Sequence, residues 1–142
     1  MNTAAKSFVD SNILIYANDK DEPAKQKLAI QVLDELWVKN SGVLSVQVLQ
    51  EFYYNITRKI RKPLARSEAR DVVEEYAIWC GATGVREVRE ALRIESSVRI
   101  SFWDALIVAS AVQRGATRIF SEDMNHGQII EGIEIVNPFH GL

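Results

Sequence analysis

Asp10, Glu51, Asp104 and Asp123 are four carboxylates placed where an α/β chain would gather them. Asp10 ends the apolar run Ser7-Phe8-Val9, and Asp123 follows a second one, Thr117 to Ser121. Glu51 falls on a helical stretch, and Asp104 opens a helix that is otherwise almost wholly apolar. Parallel sheets collect their loops and ligand sites at the carboxyl ends of the strands. Acids brought together there repel one another, and a hard divalent cation relieves the repulsion. Mg²⁺ or Mn²⁺ held by carboxylates is a means of hydrolysing phosphodiesters, so the chemistry to expect is that of a metal-dependent nuclease.

Each acid also has a plainer use. Ser101-Phe102-Trp103-Asp104 is a capping-box pattern, and an acid in the first helical turn suits the helix dipole. Against that, Ile107, Val108 and Ala111 place Asp104 beside an apolar wall, where an unpaired charge is costly. Asp10 suits the N-cap of a helix beginning at Ser11. Glu51 could be one more solvated helical acid, although Gln47 and Asn55 extend its polar face into one that could line a wet cleft. Asp123 could fix a turn through its side chain. Asn12, Ser121 and Asn125 are nearby polar groups able to orient ligands. His126 is tempting as an acid/base group, but with no evident partner in a polar turn it reads most simply as a solvated side chain. The joint pattern of four acids outweighs the separate alternatives.

The elements that must position these residues can be traced along the chain. Lys6 to Asp10 reads as a buried strand, followed by a short helix over Ser11 to Ala17. Pro23 opens a second helix with Leu28, Val32, Leu33, Leu36 and Trp37 on its apolar stripe, and Gly42 lies past its end. Val43-Leu44 is a minimal strand. Ser45 caps a helix with Leu49, Phe52, Tyr53 and Ile56 facing inward, broken at Arg61-Lys62-Pro63. A helix from Arg66 or Ser67 follows, with Val72, Val73, Tyr76, Trp79 and Cys80 on its stripe. A brief strand is expected near Val85, then a helix from Arg86 to Ser97. Ser101 caps a helix over Phe102 to Arg114 that Gly115 ends. The strand Thr117 to Ser121, a polar turn and a last strand, Ile133 to Val136, complete the chain. Asp104 and Asp123 are 19 positions apart, room for one helix down and one strand back, so both carboxylates return to the same end. Alternating strands and helices predict a three-layer α/β/α domain around a mainly parallel sheet.

Length and composition agree with that. The 142 residues make one domain, 1–142, and 47% hydrophobic with 25% charged residues is ordinary for a globular protein. The single cysteine, Cys80, excludes an internal disulfide and reads as a small core residue. With no apolar run resembling a signal peptide or a bilayer span, a cytoplasmic location without membrane contact is the expectation. A net charge of −2 argues against a protein that coats nucleic acid non-specifically. It leaves room for a nuclease, because a bound cation reverses the local field. Arg58, Lys59, Arg61, Lys62, Arg66 and Arg70 crowd one stretch, with Glu68 the only acid among them. That stretch suits phosphates or, equally, a solvated face or an acidic peptide.

With these residues placed, the chain resembles the PIN-domain ribonucleases, and among them the VapC toxins of bacterial toxin–antitoxin pairs. The carriers are Phe8-Val9-Asp10-Ser11-Asn12-Ile13-Leu14, Ser45 to Phe52 around Glu51, Ser101-Phe102-Trp103-Asp104-Ala105-Leu106-Ile107, and Phe120-Ser121-Glu122-Asp123-Met124. The resemblance implies that Asp10, Glu51, Asp104 and Asp123 bind Mg²⁺ or Mn²⁺ and carry catalysis. Glu122 adjoins the fourth position, and the alternation of carboxyl ends favours Asp123. It further implies hydrolysis of structured RNA (transfer or ribosomal) to a 5′-phosphate and a 3′-hydroxyl. The implied partners are a small VapB-like antitoxin and a second copy in a homodimer, with Trp37, Tyr53, Tyr54 and Trp79 as candidates for groove, dimer contact or core. Three other readings stay open. An RNA-processing nuclease outside toxin–antitoxin biology and a non-cleaving scaffold for RNA or protein share the motifs. A phosphoacceptor receiver domain would need an acidic pair after the first strand and a late Lys, whereas Lys62 is the last one here.

Overall fold

In the computed structural model, which describes residues 4–142, a five-stranded sheet runs in the order β2-β1-β3-β5-β4. β1 (Lys6–Val9) pairs in parallel with β2 (Gly42–Val43) on one side and β3 (Ala116–Phe120) on the other. β5 (Ile133–Val136) lies parallel to β3, and β4 (Ile129–Ile130) closes the edge antiparallel to β5. Six α-helices complete a three-layer α/β/α sandwich: α1 (Ser11–Ala17), α2 (Pro23–Lys39), α3 (Val46–Arg58), α4 (Arg66–Tyr76), α5 (Val85–Ser97) and α6 (Phe102–Gln113). Chain order leaves β1 for β2 on one flank and returns to β3 on the other. The crevice at the carboxyl ends of β1 and β3 is therefore the topological switch point of the sheet.

Local chemistry sets the boundaries. Pro23 sits in the first turn of α2, where its missing N–H is no loss. The hydroxyls of Ser45 and Ser101 accept from the amides of Val48 and Asp104 and so cap α3 and α6. α6 is apolar nearly all round because it is covered by α5 and by β3, with Ala105, Ile107, Val108, Ala109 and Ala111 buried. Phe8, Ile119 and Ile135 are in register on one face of the sheet and Val9 lies on the other, all fully buried, each such side chain contributing roughly 1.5–3 kcal/mol.

Three expectations are corrected. The residue that stops α2 is Asn40, in the left-handed conformation with φ 50°, and Gly42 belongs to β2. Gly42 is needed there because a Cβ would stand 2.6 Å from the Trp79 ring. No strand forms near Val85. The amide of Gly84 donates to the Glu87 carboxylate at 2.7 Å and its carbonyl accepts from the Glu87 amide, which starts α5 at Val85. In this part of the chain the sheet gains only a single bridge, Leu44 to Cys80, beyond a 3₁₀ turn at Ala77–Trp79. The polar turn after β3 ends in the short β4, whose hairpin to β5 is made by Glu131 and Gly132, both at positive φ.

Trp37, Tyr76 and Trp79 pack ring against ring and Tyr53 lies against the core, whereas Tyr54 is half exposed. Cys80 is half-buried at the edge of the core.

Candidate metal centre

Asp10 is placed by the sheet itself. Its amide donates to the Phe120 carbonyl at 2.9 Å, continuing the β1–β3 ladder, so Ser121 stands directly beside it. One carboxylate oxygen accepts the Ser11 amide at 2.8 Å as the N-cap of α1. The other accepts the Ser121 hydroxyl at 2.7 Å and the Asn12 side-chain amide at 3.4 Å. The capping role and the site role are thus compatible, one oxygen serving each. The side chain is buried, and burial pushes its pKa from 3.8 up to about 6. Ser121 and Ser11 resist that rise, while the charges of Glu51 and Asp123 add to it.

Asp123 follows β3 and is exposed. Its carboxylate accepts from the Asn12 side chain at 3.2 Å, and its amide donates to the Ser121 hydroxyl at 3.3 Å. Asn12 therefore bridges Asp10 and Asp123 through one amide group, while its carbonyl oxygen accepts the Glu122 amide at 3.2 Å. Glu122 points elsewhere: its carboxylate takes the Lys25 ammonium and the Tyr16 hydroxyl, each at 2.6 Å. Of the two adjacent acids, Asp123 is the one electrostatically tied to Asp10 and Asp104.

Glu51 reaches the same crevice from the second turn of α3. Its two oxygens accept the Ser11 hydroxyl at 3.2 Å and the Gln47 side-chain amide at 2.8 Å. Asp104, in the first turn of α6, has its pKa raised chiefly by partial burial, opposed by Ser101 and increased by the charges of Asp123 and Glu51. Among the described residues none of the four acids pairs with Lys, Arg or His. Their partners are neutral donors.

Ser11 and Gln47 are the supports that sequence reasoning underused. Ser11 follows Asp10 immediately, and Gln47 precedes Glu51 by one helical turn, so both signals were present as spacing. Two other candidates are placed apart from the carboxylates. Asn125 donates within its own turn to Gln128 at 3.4 Å. His126 accepts the Asn137 amide at 3.0 Å and stacks on His140, which anchors the end of the chain.

The donor set consists of hard oxygens under mutual repulsion, which suits a divalent cation of the Mg²⁺ class. Among the described residues no three carboxylate, imidazole or thiol side chains stand together as a ready-made cage. Such a cage is not required, since Mg²⁺ commonly takes one or two carboxylates and keeps several waters. The Asn12 bridge, which joins Asp10 and Asp123 without neutralising either, is an arrangement into which a cation fits.

Known proteins of the same fold sit close in structure and far in sequence. A toxin–antitoxin complex from Klebsiella pneumoniae superposes with a TM-score of 0.68 at 15% identity, over 94% of this chain and 98% of the other. FitAcB from Neisseria gonorrhoeae gives 0.65 at 16% identity, over 94% and 99%. VapC20 of Mycobacterium tuberculosis, a sarcin–ricin loop cleaving toxin, gives 0.57 at 18% identity, over 83% and 90%. No curated protein sequence matches significantly. The sequence profile of the PIN domain matches residues 7–130, a span that takes in both site-forming strands and all four acids. Because that match covers most of the chain, the chain belongs to the PIN domain family.

Proposed function

We propose that this chain is a metal-dependent endoribonuclease that serves as the toxin of a type II toxin–antitoxin pair and hydrolyses phosphodiester bonds in transfer or ribosomal RNA. The observation that carries the reading is the gathering of Asp10, Glu51, Asp104 and Asp123 at the sheet's switch point with neutral partners only. A carboxylate perturbed by burial and by like charges in a crevice is a functional-site candidate. The toxin role draws on the fold shared with proteins from toxin–antitoxin complexes and with a toxin that cleaves the sarcin–ricin loop.

Asp10, Glu51, Asp104 and Asp123 would hold Mg²⁺ or Mn²⁺. When bound, the ion supplies activation of water and neutralisation of charge on the scissile phosphate. Ser121 and the Ser11 amide fix Asp10 in one orientation, and Ser11 and Gln47 fix Glu51. Asn12 sets the separation of Asp10 from Asp123. Asp104 and Glu51 are the candidates to accept the proton of the attacking water, since both face the crevice from helices and are not tied into the β1–β3 ladder.

A small antitoxin would block the crevice with a basic side chain, for which four acids without a cation are a match. The proposed working form is a cytoplasmic homodimer. Among the described residues no helix is long and apolar enough to cross a membrane.

Purified protein incubated with total transfer and ribosomal RNA, beside Asp10→Asn and Asp104→Asn, tests the reading. Discrete fragments from the unaltered protein alone, with Mg²⁺ or Mn²⁺ and abolished by chelator, are expected. Intact RNA in every arm, with no metal binding by calorimetry, would leave a scaffold that binds without cutting. Cleavage that no co-purified or genetically linked small protein suppresses would point to an RNA-processing nuclease.

A further inference from the structure

The chain has three tryptophans, and two of them, Trp37 and Trp79, are packed together with Tyr76. The third, Trp103, precedes Asp104 and is 64% exposed. Its indole borders an open cleft of about 460 Å³ whose other walls are Gln47, Gln50 and Glu51. One edge contact, to the Phe102 ring at 5.3 Å between centres, holds the indole, and the rest of it is exposed beside Glu51, where a flat ligand can stack on it.

A second aromatic lies on the other side of Glu51. Along α3, Gln47, Glu51, Tyr54 and Arg58 recur at intervals of three or four residues and so share one face, away from the buried Val48, Phe52 and Ile56. Tyr54 is 51% exposed. The Arg58 guanidinium lies 5.0 Å from its ring centre and the Lys59 ammonium 5.7 Å. Among the described residues neither cation pairs with a carboxylate, the one hydrogen bond from the Arg58 side chain going to the Thr57 hydroxyl. Seven residues of helix separate Glu51 from Arg58, a rise of about 10 Å.

Trp103, Glu51, Tyr54 and the pair Arg58–Lys59 thus form a track: ring, carboxylates, ring, cations. We propose that Trp103 and Tyr54 are stacking platforms for unpaired nucleobases on the two sides of the scissile phosphate. Arg58 and Lys59 hold the phosphate that follows on the Tyr54 side. This rests on the nuclease reading of the carboxylates and names the form in which RNA enters: an unpaired segment with its bases turned out. A duplex keeps its base faces stacked on one another, whereas a loop or single strand offers them to side-chain rings. An acidic peptide would be drawn to Arg58 and Lys59 but repelled by the acids within two helical turns of them.

The test uses an Asp104→Asn background to prevent cleavage. A labelled unstructured oligoribonucleotide of about eight nucleotides is titrated by fluorescence anisotropy in Mg²⁺, beside a blunt duplex containing the same strand. Single-strand binding should quench tryptophan emission, because the exposed indole is Trp103. Trp103→Ala and Tyr54→Ala should each weaken it about 5- to 150-fold, with Trp103→Phe and Tyr54→Phe recovering part of the loss. Arg58→Ala and Lys59→Ala should each lower the slope of log affinity against log salt by about 0.7. The duplex should bind more weakly and ignore the aromatic changes.

The proposal is overturned if the alanine variants bind the single strand as the parent does, or weaken the duplex equally. It is also overturned if they lose only affinity for an antitoxin, which would make the track a protein-docking face. Failure of the parent reading looks different. Tight, ring-dependent binding without cleavage by the unaltered protein in Mg²⁺ or Mn²⁺ would remove the nuclease and keep the track. Cleavage with ring-independent binding would do the reverse.

Discussion

Glu122 and Asp123 are neighbours in the chain, yet Glu122 is held between Lys25 and Tyr16 while Asp123 faces other acids with the Asn12 amide as its side-chain donor. The first arrangement is a structural clamp. The Lys25 ammonium donates to Glu122 and to the Tyr16 hydroxyl and lies 4.7 Å from the Tyr16 ring centre, tying the end of β3 to α1 and α2. Glu122 in turn holds the Lys25 pKa above its ordinary value, and burial followed by the Glu122 contact raises that of Tyr16. The second arrangement leaves charge uncompensated: Asp10 is driven up to about 6 by burial with no cation to lower it. Neighbouring acids at one strand end are therefore distinguished by what neutralises them. The clamp is complete in the folded chain, whereas the cluster has neutral donors only and is where we propose that a cation binds.

Breaking the cluster should have the largest effect. Asp10→Asn and Asp123→Asn are each expected to lower RNA cleavage by at least ~10²-fold in single-turnover assays, with circular dichroism unchanged. Near-normal cleavage by either variant would erase the distinction from Glu122.

The next effect is on stability without metal. Because Asp10 binds its proton more tightly folded than unfolded, its contribution is present below about pH 4 and is lost as pH rises through about 6. The loss amounts to roughly 3 kcal/mol at most. Thermal melts in chelator should fall across that window, and Mg²⁺ should raise the midpoint more at pH 8 than at pH 5. An equal Mg²⁺ effect at both values would show that the cluster does not take the ion in its ionised form.

Smaller changes sharpen the comparison from each side. Asn12→Ala removes the bridge between Asp10 and Asp123 and should weaken Mn²⁺ binding about 10- to 100-fold by calorimetry, leaving the melting temperature nearly unchanged. Glu122→Gln should do the opposite. It loosens the clamp by about 1 kcal/mol in denaturant titration while cleavage stays near that of the parent.

Much of this was legible in the sequence. Apolar periodicity places β1, the helices and β5, and Ser45 and Ser101 announce their helices by hydroxyls that the structure uses as caps. The strand ends at Asp10 and Asp123 follow from short apolar runs closed by an acid, a pattern carried by local composition. Val85 misled because a β-branched residue just after the Gly81–Gly84 turn reads as a strand, whereas the Gly84–Glu87 exchange of hydrogen bonds settles a helix start. β4 was missed because two residues are too few to show a period. Asn125 looks like a supporting residue from its type and His126 reads as a solvated turn residue; the structure holds Asn125 to Gln128 within the turn and gives His126 the Asn137 amide.

Residue type and spacing by themselves determined that Asp10 and Asp123 follow strands, that Asp104 opens a helix and Glu51 lies along one, and that an α/β sandwich would carry them, since these depend on neighbours a few positions away. Which of Glu122 and Asp123 joins the cluster, what supports Glu51, and which rings stay in solvent were decided only by tertiary structure. Those outcomes depend on Lys25, Ser11 and the cleft beside Trp103, where partners up to about a hundred positions apart in the chain are brought within hydrogen-bonding distance only when the sheet closes.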